Sequence, residues 1–135
     1  MPDMGQFSVP VRLTGPTGRS EEAELFVDTG ATLVILPRWL AQRLELVVKY
    51  RKPVVLAGGV EEMWPIAEDM AAIGDEEVPT FCFIAPDGPA LLGAVALESL
   101  LLAVDPVAKR LVPTRGLAFP AMYQRLDILT GSARG

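Results

Sequence analysis

The chain has 135 residues, half of them hydrophobic and 21% charged, a composition that excludes disorder and suits one domain with a real core. Lys plus Arg number 12 against 17 Asp plus Glu, for a net charge of −5, so no basic surplus draws a phosphate backbone and nucleic-acid binding is not expected. Histidine is absent and cysteine occurs once, at Cys82, which excludes Ser-His-Asp and Cys-His triads, His-ligated zinc, an intramolecular disulfide and a cysteine metal cluster.

Residues 1–6 carry neither a basic nor an apolar run, so no signal peptide is read there. Residues 7–13 alternate, with Phe7, Val9, Val11 and Leu13 apolar, and the turn Gly15-Pro16-Thr17-Gly18 leads to the apolar run 23–27. This pattern predicts a hairpin. Residues 32–36 predict a strand, and Pro37 opens a short helix over 37–44 with Trp39, Leu40 and Leu44 as its buried face. Lys49-Tyr50-Arg51-Lys52 reads as a solvated loop. Residues 53–57 and 60–66 flank Gly58-Gly59 as a second hairpin; residues 70–73 and 78–84 flank Gly74-Asp75 as a third. In the third, Cys82 between Phe81 and Phe83 reads as a small packed side chain, the alternative being a reactive thiol. Residues 90–92 form a short strand ending at Gly93, residues 94–101 have helical composition, and 102–104 with 111–112 close a last hairpin around Asp105-Pro106. The most apolar stretch, 88–104, is broken by Gly93 and Glu98 and falls short of the ~20 apolar residues of a membrane helix. A soluble cytoplasmic protein with no membrane attachment is the expectation. Seven or more short strands and two short helices predict an all-β, closed, barrel-like sheet rather than a βαβ fold. The domain is assigned to residues 1–113. In the tail, 114–135, Phe119, Met122, Tyr123, Leu126 and Leu129 recur at helical spacing and predict a short amphipathic helix, docked on its own domain or on a partner or cleft.

One motif carries chemistry. In Leu25-Phe26-Val27-Asp28-Thr29-Gly30-Ala31-Thr32 an acidic residue closes an apolar strand and meets a Gly turn at once. A carboxylate inside such a strand would cost several kcal/mol, whereas at its end the side chain can project into a cleft. Gly30 permits a tight turn and close approach, and the Thr29 hydroxyl can anchor it. The alternative role for Asp28 is a carboxylate that only caps the turn. A dehalogenase-type phosphatase would need a second Asp where Gly30 stands, and a Walker B aspartate would need a phosphate loop that the chain lacks.

This motif resembles the catalytic signature of the single-domain, retroviral-type (retropepsin-like) aspartic proteases. Residues 53–60, Pro-Val-Val-Leu-Ala-Gly-Gly-Val, are similar to the strand and turn leading into their flap. Residues 90–97 resemble the apolar-apolar-Gly element before their helix, and 102–112 their closing hairpin, so the resemblance spans about 7–113. Retroviral members usually carry Arg after the Gly that matches Gly93; here that residue is Ala94. The resemblance implies an aspartic endopeptidase of the acid-protease fold, with catalytic Asp28, Thr29 and Gly30 and with Ala57, Gly58, Gly59 and Val60 as a flap over an extended peptide substrate. It implies no cofactor and no metal. Trp64 reads as core or flap-base packing rather than a subsite wall.

Hydrolysis by this route needs two carboxylates about 3 Å apart sharing one proton. The chain has one Asp-Thr-Gly and no Asp-Ser-Gly; Asp87 precedes Gly88 and Asp105 precedes Pro106. The second carboxylate is therefore expected from Asp28 of another copy, in a twofold homodimer. The competing readings are a catalytically idle dimer of this family that binds a peptide or protein, and a small β-barrel interaction module.

Overall fold

Two alternating strands start the domain. In the computed structural model, which describes residues 6–118, β1 (Ser8–Thr14) buries Val11 and Leu13 and β2 (Ser20–Val27) buries Leu25 and Val27. They pair antiparallel from Ser8↔Phe26 to Thr14↔Ser20. The second strand starts ahead of its apolar run because its first residues complete the ladder while staying partly in solvent.

Next come β3 (Val34–Pro37) and α1 (Arg38–Arg43), with Pro37 as the N-cap residue at φ −67°. The buried face of α1 differs from expectation. Leu40, Ala41 and Leu44 are buried, but Trp39 is 55% exposed. A helix of six residues presents one narrow stripe to the core, and Trp39 lies about 100° off Leu40 on that helix.

Three longer strands follow: β4 (Val48–Val55), β5 (Glu61–Ile73) and β6 (Glu76–Ala85). Two corrections arise here. Lys49 to Lys52 are not a loop but part of β4, an edge strand whose charged residues stay exposed while its backbone pairs with β5. The strands expected over 60–66 and 70–73 are one continuous strand. The polar pair Glu68-Asp69 masks the continuity in the sequence, yet Asp69 stands opposite Thr80 in the β5–β6 ladder and accepts its hydroxyl hydrogen bond at 2.7 Å in the buried interior.

The remaining elements are β7 (Leu91–Leu92), α2 (Ala94–Leu100), β8 (Leu102–Asp105) and β9 (Arg110–Pro113), the last two forming their own hairpin sheet. Strands neighbour one another in the order β1-β2-β7-β3-β6-β5-β4, and an additional β1–β5 pairing closes the first six into a ring. Strand β4 remains outside as an arm. Inside the ring lie Val11, Leu25, Val34, Leu36, Leu92 and Cys82. Burial and the nearby Asp69 charge push the Cys82 thiol up, away from the reactive thiolate, in keeping with a packed side chain.

Among the described residues no helix is long and apolar enough to cross a membrane. Residues 114–118 form neither helix nor strand, and the positions that carry the expected C-terminal helix lie outside the described residues.

Candidate active site

Strand β2 ends at Val27 because the next residue must leave the ring. Asp28 is half-buried, Thr29 and Gly30 are exposed, and one Asp28 carboxylate oxygen, Oδ1, accepts the Gly30 N–H at 2.9 Å. The backbone of the turn is held from the neighbouring strand and helix. Phe26 and Asp28 donate their N–H groups to the carbonyls of Ala90 and Leu92, both at 3.0 Å. Ala94 and Val95, opening α2, donate to the carbonyls of Ala31 and Thr32 at 2.8 and 3.0 Å. The parallel pairing Val27↔Leu92 brings these groups together.

Gly93 is the joint between the two pieces. A Cβ there would lie 2.3 Å from the Leu33 carbonyl oxygen and 2.7 Å from that of Ala31. Only glycine lets the chain pass so close. The apolar-apolar-Gly element of the sequence is thus the clamp that seats the Asp28 turn.

The turn opens into a cleft of about 920 Å³. Its floor comes from register. Ile66 stands opposite Phe83, Phe83 beside Ile35, and Ile35 opposite Leu91, so one apolar row crosses β5, β6, β3 and β7. Trp64, two residues before Ile66 on the same face of β5, packs edge-on against Phe83 with ring centroids 6.1 Å apart. Over this floor stands the β4–β5 arm. At its tip Leu56 donates its N–H to the Val60 carbonyl at 2.7 Å and Gly59 to that of Leu56 at 2.9 Å, with Gly58 and Gly59 at φ +92° and +89°.

Of the residues predicted for the site, Asp28, Gly30 and Ala57 line the cleft. Thr29, Gly58, Gly59 and Val60 stand outside its lining: Thr29 at the surface of the turn, the others at the exposed arm tip. The Thr29 hydroxyl has no hydrogen-bond partner among the described residues. Sequence reasoning missed Lys52, Ile35, Phe83, Asp87 and Leu91, which also line the cleft. It placed Trp64 away from the subsite walls, whereas Trp64 both packs at the arm base and lines the cleft. A period-2 reading of Trp64 and Ile66 contained the signal for that wall; the others depend on strand pairing.

The chain matches the family described as aspartyl protease over residues 9–98, two-thirds of its length. Among solved structures it is similar to the EIAV protease complexed with the inhibitor HBY-793, at a TM-score of 0.60 and 18% identity over 70% of this chain and 88% of that one. No curated protein matches it. The chain belongs to the aspartyl protease family and has the retropepsin-like fold.

Proposed function

We propose that the protein is an aspartic endopeptidase that works as a homodimer, with a water held between the Asp28 carboxylates of two copies. The observation that carries this reading is the Asp-Thr-Gly turn, fixed by backbone hydrogen bonds and opening into an apolar cleft that supplies one such turn per chain. A single carboxylate cannot both take a proton from water and give one to a carbonyl. A second copy related by a twofold axis supplies the partner. The exposed Thr29, whose hydroxyl has no partner among the described residues, supports this, since it is placed to hydrogen-bond across such an axis.

In this mechanism one Asp28 carboxylate takes a proton from the water as its oxygen attacks the peptide carbonyl carbon. The other, protonated, donates a hydrogen bond to the carbonyl oxygen. The tetrahedral species then collapses, the C–N bond breaks, and the amine nitrogen leaves with a proton from the dyad. Thr29 and Gly30 act as positioning residues that keep the two carboxyl groups nearly coplanar. Residues 57–60 close over an extended peptide and exclude water, and the β4 edge offers it backbone groups to pair with.

Asp28→Asn is expected to abolish cleavage of a peptide library while leaving folding and dimerisation unchanged, measured by mass spectrometry, unfolding and sedimentation. Equal cleavage by native and Asp28→Asn protein ends the proteolytic reading. Retained peptide binding with no cleavage by the native chain turns it into that of an idle binding dimer.

A further inference from the structure

The arm strand carries a cation that the mechanism above does not use. In the β4–β5 ladder Tyr50 stands opposite Ile66, Lys52 opposite Trp64 and Val54 opposite Glu62. Directly paired residues share a face of the sheet, so Lys52 lies on the face of Trp64 and Ile66, which look into the cleft. Lys52 itself lines that cleft. Its ammonium sits 5.8 Å from the Tyr50 ring centroid, an attraction that holds the side chain along the strand.

Lys52 makes no ion pair among the described residues, although three acids of β5 stand near its strand, of which Glu61, opposite Val55, lies on the other face. Glu62 on the same face takes the Trp64 indole N–H at 2.9 Å, and Glu68 is engaged by Lys49 at 3.5 Å. The other ionisable groups lining the cleft, Asp28 and Asp87, are both acidic. In a chain of net charge −5, Lys52 is therefore, among the described residues, the one charged side chain in the cleft lining that attracts an incoming carboxylate.

We propose that Lys52 is a specificity-determining residue that selects peptides carrying a Glu or Asp side chain near an apolar residue seated on the Trp64–Phe83 floor. This rests on the proteolytic reading for its substrate class, since it concerns the same cleft. Asp28 and Asp87 sharpen the choice: they repel a carboxylate elsewhere in the cleft, so the acidic side chain is admitted on the arm side only.

The test uses the full chain and a library of peptides with large apolar residues, each flanking position being either Glu or Gln. Affinity is read on Asp28→Asn protein, so that peptides stay intact and the result does not depend on catalysis. A Glu-over-Gln preference of about fivefold is expected, from the strength of a partly exposed ion pair, falling as salt is raised. Adding Lys52→Met is expected to remove the preference. Adding Lys49→Met, which deletes the same charge outside the cleft lining, is expected to keep it. Equal retention of Glu and Gln peptides, no retention at all, or a preference that survives Lys52→Met overturns the proposal. Cleavage by the native chain is scored separately: its absence counts against proteolysis, while the Glu-to-Gln ratio still decides the role of Lys52.

Discussion

The floor and the arm of the cleft are built by opposite means. At the floor, the Asp28 turn is held by backbone groups of β7 and α2, and the residues around it, Val27, Val34 and Leu92, are buried. The arm is held by one ladder. Among the described residues strand β4 pairs only with β5, its residues 48–53 are exposed, and at Gly58 and Gly59 a Cβ would meet nothing within 4 Å. In the proposed mechanism the Asp28 carboxylate meets a second one within a fraction of an ångström, which needs the first kind of support. The proposed cover, which would admit and release a peptide, needs the second. Strand β5 belongs to both regions, exposed at Glu61 to Met63 and buried at Ala67, Asp69 and Ala71.

The largest effect is expected where the floor is tightest. Gly93→Ala forces a methyl group against two carbonyl oxygens of the backbone, which has no flexible end to yield. The expected loss is about 3 kcal/mol of stability, read as a lower midpoint in urea unfolding. Cleavage should fall further than the folded fraction does, because the strain is delivered to Ala31 and Leu33, next to Asp28. Unfolding within about 0.5 kcal/mol of the native chain would mean that the floor is not clamped at this glycine.

A second prediction separates the buried half of β5 from the arm. Burial raises the Asp69 pKa from 3.8 to about 6, with the Thr80 hydrogen bond opposing the shift only in part. The other carboxylate oxygen, Oδ2, has no partner among the described residues, so the ionised form is poorly served. The folded chain thus keeps a proton that the unfolded chain has already lost. The resulting stabilisation is full below pH about 3.8 and is lost as pH rises through about 6. Over the whole range its size is on the order of 3 kcal/mol. Asp69→Asn can still accept the Thr80 hydroxyl and cannot ionise, so it should match the native chain at pH 4, exceed it at pH 7, and flatten the slope between. Urea unfolding at a series of pH values checks this; an unchanged slope would show that Asp69 is not the group responsible.

These contrasts also explain what could be read from the chain alone. The Asp28 turn was legible because its chemistry demands particular residue types at consecutive positions, and the Leu-Leu-Gly element because no other residue fits Gly93. The cleft floor was not, because Ile66, Phe83, Ile35 and Leu91 meet only through the pairing of four strands, and each alone is an ordinary apolar residue. Lys49 to Lys52 looked like a loop because an edge strand keeps its charges in water, as a loop does. Asp69 reads as a break in a strand because local pattern contains no information about Thr80, eleven residues on, which shelters its carboxylate. Trp39 is a related case: in a helix of six residues, composition does not say which stripe faces the core.

The smallest stability effect is expected at the arm tip, and it is the one that best discriminates. Gly58 adopts φ +92°, which an L-residue enters at a cost of about 1 kcal/mol, but there is open space for a side chain. Gly58→Ala should therefore shift unfolding by no more than about 1 kcal/mol, well short of Gly93→Ala. Its effect on cleavage should be disproportionate, a severalfold fall in kcat/KM, because a turn that resists φ above zero changes how residues 57–60 lie over the cleft. Gly58→Asn, which tolerates that backbone better, should recover part of the loss. Unfolding as severe as that of Gly93→Ala would mean that the tip is packed as firmly as the floor, and the division of labour between them would fail. Unchanged cleavage alongside a measurable loss of stability would show that the tip makes no contact that matters to the peptide, and the cover over the water would have to be sought in the strands below it, at Val54 to Leu56.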